Sequence, residues 1–182
     1  MRLLILAAAL LLMLSGPLRA DQDDARLDGL FDQLHDADGP GEARQIEQRI
    51  WRVWNLVDDR QSARLLDQGN AAMAGRAYDV ALGFYDQLVS RDPDFAEAWN
   101  RRATLNFMAG NYEASVIDIR RTLALEPRHF GALSGLGLIY MALDENEAAI
   151  RSFEAALDIH PHMEGPKTHI ERLQGELEGS RI

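Results

Sequence analysis

The sequence contains no cysteine, and this absence removes several structural and chemical options. Without a thiol, the chain cannot form disulfides, attach a lipid through cysteine or use a cysteine nucleophile. Other common catalytic patterns are also missing, because no serine lies in a nucleophile-elbow or Ser-x-x-Lys context and no glycine-rich phosphate loop follows a strand. The sequence therefore predicts a protein that is not an enzyme, that needs no cofactor and that folds without disulfides.

Basic residues are scarce relative to acidic ones. The 182-residue chain has 19 Lys and Arg against 29 Asp and Glu, a formal net charge of −10. Removal of residues 1–20 would take away Arg2 and Arg19 but no acid, leaving 17 basic against 29 acidic residues, or −12. Such a charge favours solubility and argues against nucleic acid or anionic lipid as the main partner.

The apolar run at the N terminus is too short to span a bilayer as a helix. It extends from Leu3 to Leu14, which is 12 residues, whereas a transmembrane helix needs about 20. A basic residue precedes the run, helix-breaking residues follow it, and Ala20 offers a small residue for cleavage. Residues 1–20 are therefore predicted to be a signal peptide, with the protein exported, and periplasmic if the source is a Gram-negative bacterium. The alternative is an uncleaved segment that anchors the protein in the membrane.

Four sets of positions recur every 34 residues between residues 62 and 161. They are Pro93, Pro127 and Pro161; Gly69, Ala103 and Gly137; Ala81, Ser115 and Ala149; and Tyr85, Ile119 and Phe153. Each unit carries apolar residues at helical spacing in two stretches. One such hairpin cannot bury its apolar stripe alone, so the units are predicted to stack into a solenoid. The alternative, an ordinary helical bundle, gives no reason for a constant interval between prolines and small residues.

The third unit shows the expected hairpin most clearly. Its first helix is predicted over residues 130–143 and its second over residues 145–159, where Pro161 prevents continuation. Small residues at Gly137 and Ala149 would let the two helices approach closely. If Gly137 packs against Ala149, replacement of this glycine by alanine is expected to be nearly neutral, because lost fit and gained helix propensity offset.

These residues resemble the tetratricopeptide repeat (TPR) family. In the third unit the signature columns hold Leu133, Leu136, Gly137, Tyr140, Ala149, Phe153, Ala156 and Pro161. The second unit departs from the pattern at Arg102, which replaces the usual leucine, and at Asn106, which replaces the usual tyrosine. The resemblance implies an all-α fold, an alpha-alpha superhelix of three helix-hairpin repeats over residues 62–95, 96–129 and 130–163.

The segments that flank the repeats are predicted to be helical caps. Residues 21–61 are interpreted as an N-terminal helical hairpin, a degenerate repeat in which Glu47 fills the small-residue column. The hairpin is expected to cover the open end of the first repeat and to bury Trp51 and Trp54 there; the alternative is that these tryptophans anchor a partner. Residues 164–182 are predicted to form a C-terminal capping helix with a polar outer face.

The resemblance also implies where a partner binds, because in this family the first helix of each repeat lines the inner groove. The groove residues predicted here are Asn70, Met73, Asn100, Arg101, Thr104, Met108, Leu138 and Met141. Some family members grip the terminal carboxylate of a peptide with lysine, asparagine and arginine, and of that set this chain keeps only Asn70. A groove with amides, one arginine and methionines favours a helix or an extended apolar segment of a partner.

Together these patterns predict a non-enzymatic protein–protein interaction scaffold of the cell envelope, with an unknown protein or peptide ligand in its groove. The alternative is a structural protein of the periplasm that self-associates or tethers a larger assembly. A metal site is not predicted. His160 and His162 flank a repeat proline and are more simply turn residues, and no spaced carboxylate completes a site.

Overall fold

The computed structural model describes residues 24–179, and in that range the chain forms helices and no strand. The helices are α1 (Arg26–His35), α2 (Pro40–Trp54), α3 (Arg60–Ala74), α4 (Tyr78–Arg91), α5 (Ala96–Met108), α6 (Tyr112–Leu125), α7 (Phe130–Ala142), α8 (Asn146–Ile159) and α9 (Glu164–Gly179). The predicted all-α superhelix is confirmed, because α3–α4, α5–α6 and α7–α8 form successive hairpins that each pack on the next.

The predicted signal peptide lies outside the described residues. Within residues 24–179, no helix is both long enough and apolar enough to cross a membrane.

The turn inside each repeat hairpin has the same backbone conformation. Arg76, Gly110 and Asp144 follow one another at the repeat interval and have φ values of 59°, 76° and 58°. Glycine adopts this left-handed conformation readily, whereas a side chain with a Cβ makes it costly. Aspartate is among the non-glycine residues that adopt this conformation, so Asp144 suits the third turn, whereas packing of the flanking helices must hold Arg76 in the first.

Small residues allow the two helices of a repeat to approach closely at Gly69 and Gly137. A Cβ on Gly137 would lie 2.5 Å from Cε1 of Phe153, and a Cβ on Gly69 would overlap the ring of Tyr85. Both aromatic rings are fully buried. The side chain nearest to Gly137 is therefore Phe153 and not Ala149, which corrects the sequence-based expectation and the near-neutral alanine substitution that depended on it.

The N-terminal hairpin does not cover the open end of the first repeat, contrary to the prediction. Phe95, just before α5, and Ala98 and Leu105 of α5 are buried in the core of the first repeat. The positions one repeat earlier, on α3, are Gln61, Arg64 and Ala71, and all of them are exposed. Because a terminal repeat with a polar outer face needs no cap, α1 and α2 are free to pack elsewhere.

The hairpin formed by α1 and α2 packs against the junction between the second and third repeats. Phe130, the first residue of α7, is buried in the apolar cluster of the hairpin. Trp54 stacks on the ring of His129, with an interplanar angle of 5°, and Trp51 meets the same ring edge-on. The tryptophans therefore pack within the protein, but against the start of α7 rather than against the first repeat.

Polar contacts hold the same interface together. They join Glu47 to His160 (3.5 Å between Oε2 and Nε2), His162 to the carbonyl oxygen of Ala37 (2.9 Å) and Arg128 to Asp28 (2.7 Å). The hydrogen bond with His160 lowers the pKa of Glu47 below its usual value, although partial burial opposes this shift. His160 and His162 thus attach the hairpin to the array. Among residues 24–179, no three His, Asp or Glu side chains form a group that could hold a metal ion.

The last helix packs on the other end of the array. Leu173 of α9 is fully buried beside Ala149 and Phe153 of α8, and Ile170 packs against the same cluster. Pro166 and Leu173 are the buried residues of α9, and much of its remaining surface is exposed. A polar outer face of this kind is what the end of a solenoid needs for solubility.

Candidate functional site

A pocket lies between the N-terminal hairpin and the first helices of the repeats. This cavity, which we call the junction pocket, has a volume of about 310 Å³. Its walls are formed by Trp51, Met73, Glu97, Asn100, Arg101, Thr104 and Gly131. Met73, Asn100, Arg101 and Thr104 were predicted as groove residues from the sequence. The site residues predicted from the sequence did not include Trp51, Glu97 or Gly131.

A second cavity adjoins the junction pocket and is mainly apolar. This apolar pocket has a volume of about 220 Å³ and shares Asn100, Thr104 and Gly131 with its neighbour. Its further lining includes Phe107, Ile119, Leu138 and Met163. Leu138 was also predicted to face the groove. The two cavities therefore adjoin as the polar part and the apolar part of one candidate site.

Gly131 allows the hairpin to come close to the array. A Cβ at this position would lie 3.0 Å from Cη2 of Trp51 and 3.4 Å from Cε1 of His129. A larger side chain would therefore displace the indole. Glycine at the start of α7 lets Trp51 serve as a wall of the junction pocket.

A buried carboxylate supports the polar part of the site. Oε2 of Glu97 accepts a hydrogen bond from Nδ2 of Asn100 at 2.9 Å and lies 3.1 Å from Nε2 of His129. Nδ1 of His129 accepts a hydrogen bond from the backbone N–H of Ala132 at 3.0 Å. The ring proton is therefore on Nε2, which donates a hydrogen bond to Glu97. Arg101 adds an ion pair to the same carboxylate, at 2.6 Å from Nε to Oε1.

The electrostatics of Glu97 depend on these contacts. Burial alone would raise the pKa of Glu97, since the side chain is 1% exposed. The hydrogen bond from His129 and the charge of Arg101 outweigh burial and keep this pKa below its usual value. The carboxylate therefore stays ionised and fixes the position of Arg101 in the pocket.

Arg101 connects the array to the hairpin and also faces the pocket. Its Nη2 donates to Oδ1 of Asn55, just beyond the end of α2, at 3.3 Å. Its side chain is 34% exposed, so the guanidinium is not enclosed by these contacts. Among the described residues the guanidinium donates its hydrogen bond to Asn55, and its ion pair with Glu97 lacks hydrogen-bond geometry. It therefore has N–H groups left to donate to a carboxylate or carbonyl group.

The remaining predicted groove residues lie outside both pockets. Oδ1 of Asn70 accepts a hydrogen bond from the hydroxyl of Tyr85 at 2.8 Å, which ties α3 to α4. The sulfur of Met141 accepts one from Arg172 of α9 at 2.7 Å. Met108, near the end of α5, is 49% exposed. Asn70 and Met141 thus make contacts within the protein, and Met108 leaves its side chain open to a partner.

A larger cavity lies on the hairpin itself. It has a volume of about 540 Å³ and lies between α1 and α2, where Arg26, Arg49 and Arg52 contribute to its walls. It shares no residue with the junction pocket and contains none of the predicted groove residues. Its arginines resemble Arg101 in chemistry but lie outside the groove.

The fold and the pockets define a class of protein, a solenoid of helical hairpins with cavities along the first helix of each hairpin. Family models described as tetratricopeptide repeat match residues 66–121 and 132–167. A TPR repeat-containing protein from Rhizobium etli is 38% identical over 156 residues, which cover 86% of this chain and 76% of the relative. The chain belongs to the tetratricopeptide repeat family.

Solved structures share the fold at lower sequence identity. The TPR domain of Sgt2 from Aspergillus fumigatus is 24% identical, with a TM-score of 0.63 over 68% of this chain and 83% of that one. The first TPR of Spaghetti (RPAP3), solved with the HSP90 peptide SRMEEVD, is 23% identical. Its TM-score is 0.64, and the match covers 67% of this chain and 97% of that one. MamA is 24% identical, with a TM-score of 0.61 over 83% of this chain and 81% of that one. These likenesses support the fold alone.

Proposed function

We propose that this protein is a non-enzymatic interaction scaffold of the cell envelope, which binds a segment of a partner protein on the inner side of its repeat array. The observation that carries the proposal is the pair of adjoining pockets. They bring together five predicted groove residues: Met73, Asn100, Arg101, Thr104 and Leu138. RPAP3 domains of the same fold were solved with an HSP90 peptide and an HSP70 peptide, which supports a peptide segment as the class of ligand.

The size and chemistry of the pockets favour a protein segment over a free small molecule. Each pocket taken separately, about 310 Å³ and about 220 Å³, lies at or below the lower end of the roughly 300–1,000 Å³ typical of small-molecule sites, so each has room for one side chain. A protein segment can place one side chain in each pocket and continue along the groove. The polar part offers amide and guanidinium groups, and the apolar part accepts a single apolar side chain.

Binding in the groove can be tested by site-specific photocrosslinking in cells. Thr104 is exposed and lines both pockets, so a photoreactive amino acid at this position should join the protein to a discrete partner. Asn100→Ala combined with Arg101→Gln should abolish the product, provided that circular dichroism shows an intact helical fold. The same probe at Gln68, on the exposed outer face of α3, is the control. Equal products from both positions would contradict the groove.

The envelope location is supported by the sequence of residues 1–20, and it needs its own test. In a Gram-negative host the full chain should appear in the periplasmic fraction, with Asp21 as its N-terminal residue. A chain that starts at Asp21 behind an initiator methionine should stay in the cytoplasm. A full-length product retained in the membrane fraction would indicate an uncleaved anchor instead.

A further inference from the structure

We propose that the N-terminal hairpin and the repeat array hold the partner jointly, in a pocket that exists only while the hairpin is docked and that accepts an acidic group next to an apolar side chain. This inference rests on the proposed function, because it concerns the same groove. It goes further in assigning part of the binding site to a segment outside the repeats. It also specifies the chemistry of the ligand.

The walls of the junction pocket come from two separate parts of the protein. Trp51 belongs to α2, whereas Met73 belongs to α3, Arg101 to α5 and Gly131 to α7. If the hairpin left the array, the pocket would lose its aromatic wall, and Arg101 would lose its contact with Asn55. A ligand in this pocket touches both parts, so its binding and the docking of the hairpin must stabilise each other.

Docking contacts outside the pocket allow this coupling to be separated from direct contact with a ligand. His162 is bound to the carbonyl oxygen of Ala37, and Asp28 is paired with Arg128. None of these residues lines either pocket. Replacement of Asp28 and His162 should therefore loosen the hairpin while leaving every array residue of the two pockets in place.

The groups in the two pockets specify the ligand. Arg101 is fixed by Glu97 and has N–H groups left to bind a carboxylate. Asn100 donates through Nδ2 to Glu97, and its Oδ1 is an acceptor that can take a backbone N–H. The apolar pocket next to them is bounded by Phe107, Leu138 and Met163 and has the size for one side chain. A segment with leucine followed by aspartate matches this order of groups.

Two short peptides provide the probe. Acetyl-Ser-Leu-Asp-Ser amide and acetyl-Ser-Leu-Asn-Ser amide differ only in the charge that would meet Arg101. In ¹H–¹⁵N NMR titrations at millimolar peptide, the first should shift the indole N–H of Trp51 and the backbone N–H of Thr104 and Gly131 saturably. The second should bind at least about threefold more weakly, because a charge-assisted hydrogen bond is roughly twice as strong as a neutral one.

The joint character of the site is tested by loosening and by locking the hairpin. Asp28→Ala with His162→Ala should increase hydrogen exchange in α1 and α2 and weaken peptide binding at least about tenfold, within the usual range of site-to-site coupling. Asp32→Ala with His35→Ala is the matched control, because both side chains are exposed on α1 and, among the described residues, neither forms a hydrogen bond or ion pair with the array. In the locked protein, Ala37→Cys and His162→Cys are the only thiols and can be joined by a short bis-maleimide. The locked protein should bind as the parent does.

The outcomes separate the inference from the proposed function. If the protein with the loosened hairpin binds the peptide as tightly as the parent or more tightly, the hairpin does not contribute to binding and the joint site is wrong. If the locked protein does not bind, the docked hairpin blocks the pocket and the joint site is also wrong. Failure of both peptides on the parent, with intact crosslinking from position 104, would overturn the ligand chemistry. Loss of peptide binding and of crosslinking together in the parent would refute the groove itself.

Discussion

Trp54 lies parallel to the imidazole of His129, with ring centroids 4.2 Å apart. The imidazole cannot rotate freely, because Nδ1 is bound to the backbone N–H of Ala132 and Nε2 to the carboxylate of Glu97. The stacked indole therefore has a fixed surface to pack on. This arrangement sets the position of α2 and, with it, the position of Trp51 in the junction pocket.

Replacement of Trp54 by alanine should detach the hairpin. The side chain is 1% exposed, and the loss of a buried tryptophan typically costs about 3–5 kcal/mol. We expect the loss to be local, so amide hydrogen exchange should accelerate in α1 and α2 and remain slow in α5 to α8. Trp99→Ala is the control, since that ring is only partly buried. Uniform acceleration throughout the chain would mean that the hairpin and the array unfold as one unit.

The position of the hairpin is the part of the fold that the sequence did not reveal. Periodicity shows that Trp54 is buried, but it does not show against which surface. A usable signal was present in α3, where Gln61 and Arg64 occupy columns that are buried in the next repeat. Such polar residues indicate that no cap was needed at this end. Gly131 beside a buried histidine was a second signal, for a close approach at the start of α7.

The candidate site was predictable to the extent that it follows the repeat register. Asn100, Arg101 and Thr104 lie on the first helix of their repeat and meet in one pocket, as the resemblance implied. Asn70 shares that register but is bonded to Tyr85. Register fixes the face of a helix on which a residue lies, whereas side-chain partners depend on neighbours from other helices. Glu97 was missed for the same reason.

Acid should weaken hairpin docking through Glu47. The hydrogen bond with His160 lowers the pKa of this carboxyl from its ordinary value of 4.5. A lowered pKa gives stability that is present above the unfolded-state value and is lost as the pH falls through the folded-state value. Glu47→Gln should therefore loosen the hairpin at neutral pH, and its difference from the parent should vanish in strong acid. Hydrogen exchange of α2 measured against pH tests this, with Asp32→Asn, an exposed carboxyl of α1, as the control. If the exchange rates of the Glu47→Gln variant and the parent differ by the same factor at every pH, ionised Glu47 is not what holds the hairpin.

Alanine at Gly137 should destabilise the third repeat. The new Cβ would lie 2.5 Å from the fully buried ring of Phe153, which also stacks on His169 with ring centroids 5.1 Å apart. Overpacking of this kind typically costs about 1–3 kcal/mol, more than the gain in helix propensity of about 1 kcal/mol. Gly29→Ala is the matched control, because nothing lies within 4 Å of its Cβ position, and it should stabilise α1. Thermal unfolding distinguishes the two; equal melting temperatures would show that the helices can separate to admit the methyl group.

Arg102 and Asp118 form a buried ion pair in the second repeat. We expect loss of the arginine alone to destabilise the protein more than loss of both partners. Arg102 donates to the two carboxylate oxygens of Asp118 at 2.9 and 2.6 Å, and the Asp118 side chain is 2% exposed. Arg102→Leu should cost about 3–5 kcal/mol, because the carboxylate stays buried without its counter-charge. Adding Asp118→Ser should restore most of the stability, since the third repeat has Leu136 and Ser152 at these positions. Urea unfolding of both single variants and the double variant measures the coupling; simple additivity would refute it.

The polar edge of α3 should keep the repeat array from stacking end to end. One repeat later, Phe95 just before α5 and Ala98 and Leu105 of α5 are buried against the preceding hairpin. Gln61→Phe, Arg64→Ala and Ala71→Leu together would give the first repeat that same face with no hairpin in front of it. An uncovered apolar face of a solenoid is a site for head-to-tail contact, which can continue from molecule to molecule. We therefore expect the triple variant to increase in mass with concentration in light scattering, whereas the parent does not associate through this edge.

Gln68→Ala, on the same exposed side of α3, is the control and should leave the mass unchanged. If the triple variant behaves as the parent does, the edge is not what limits association.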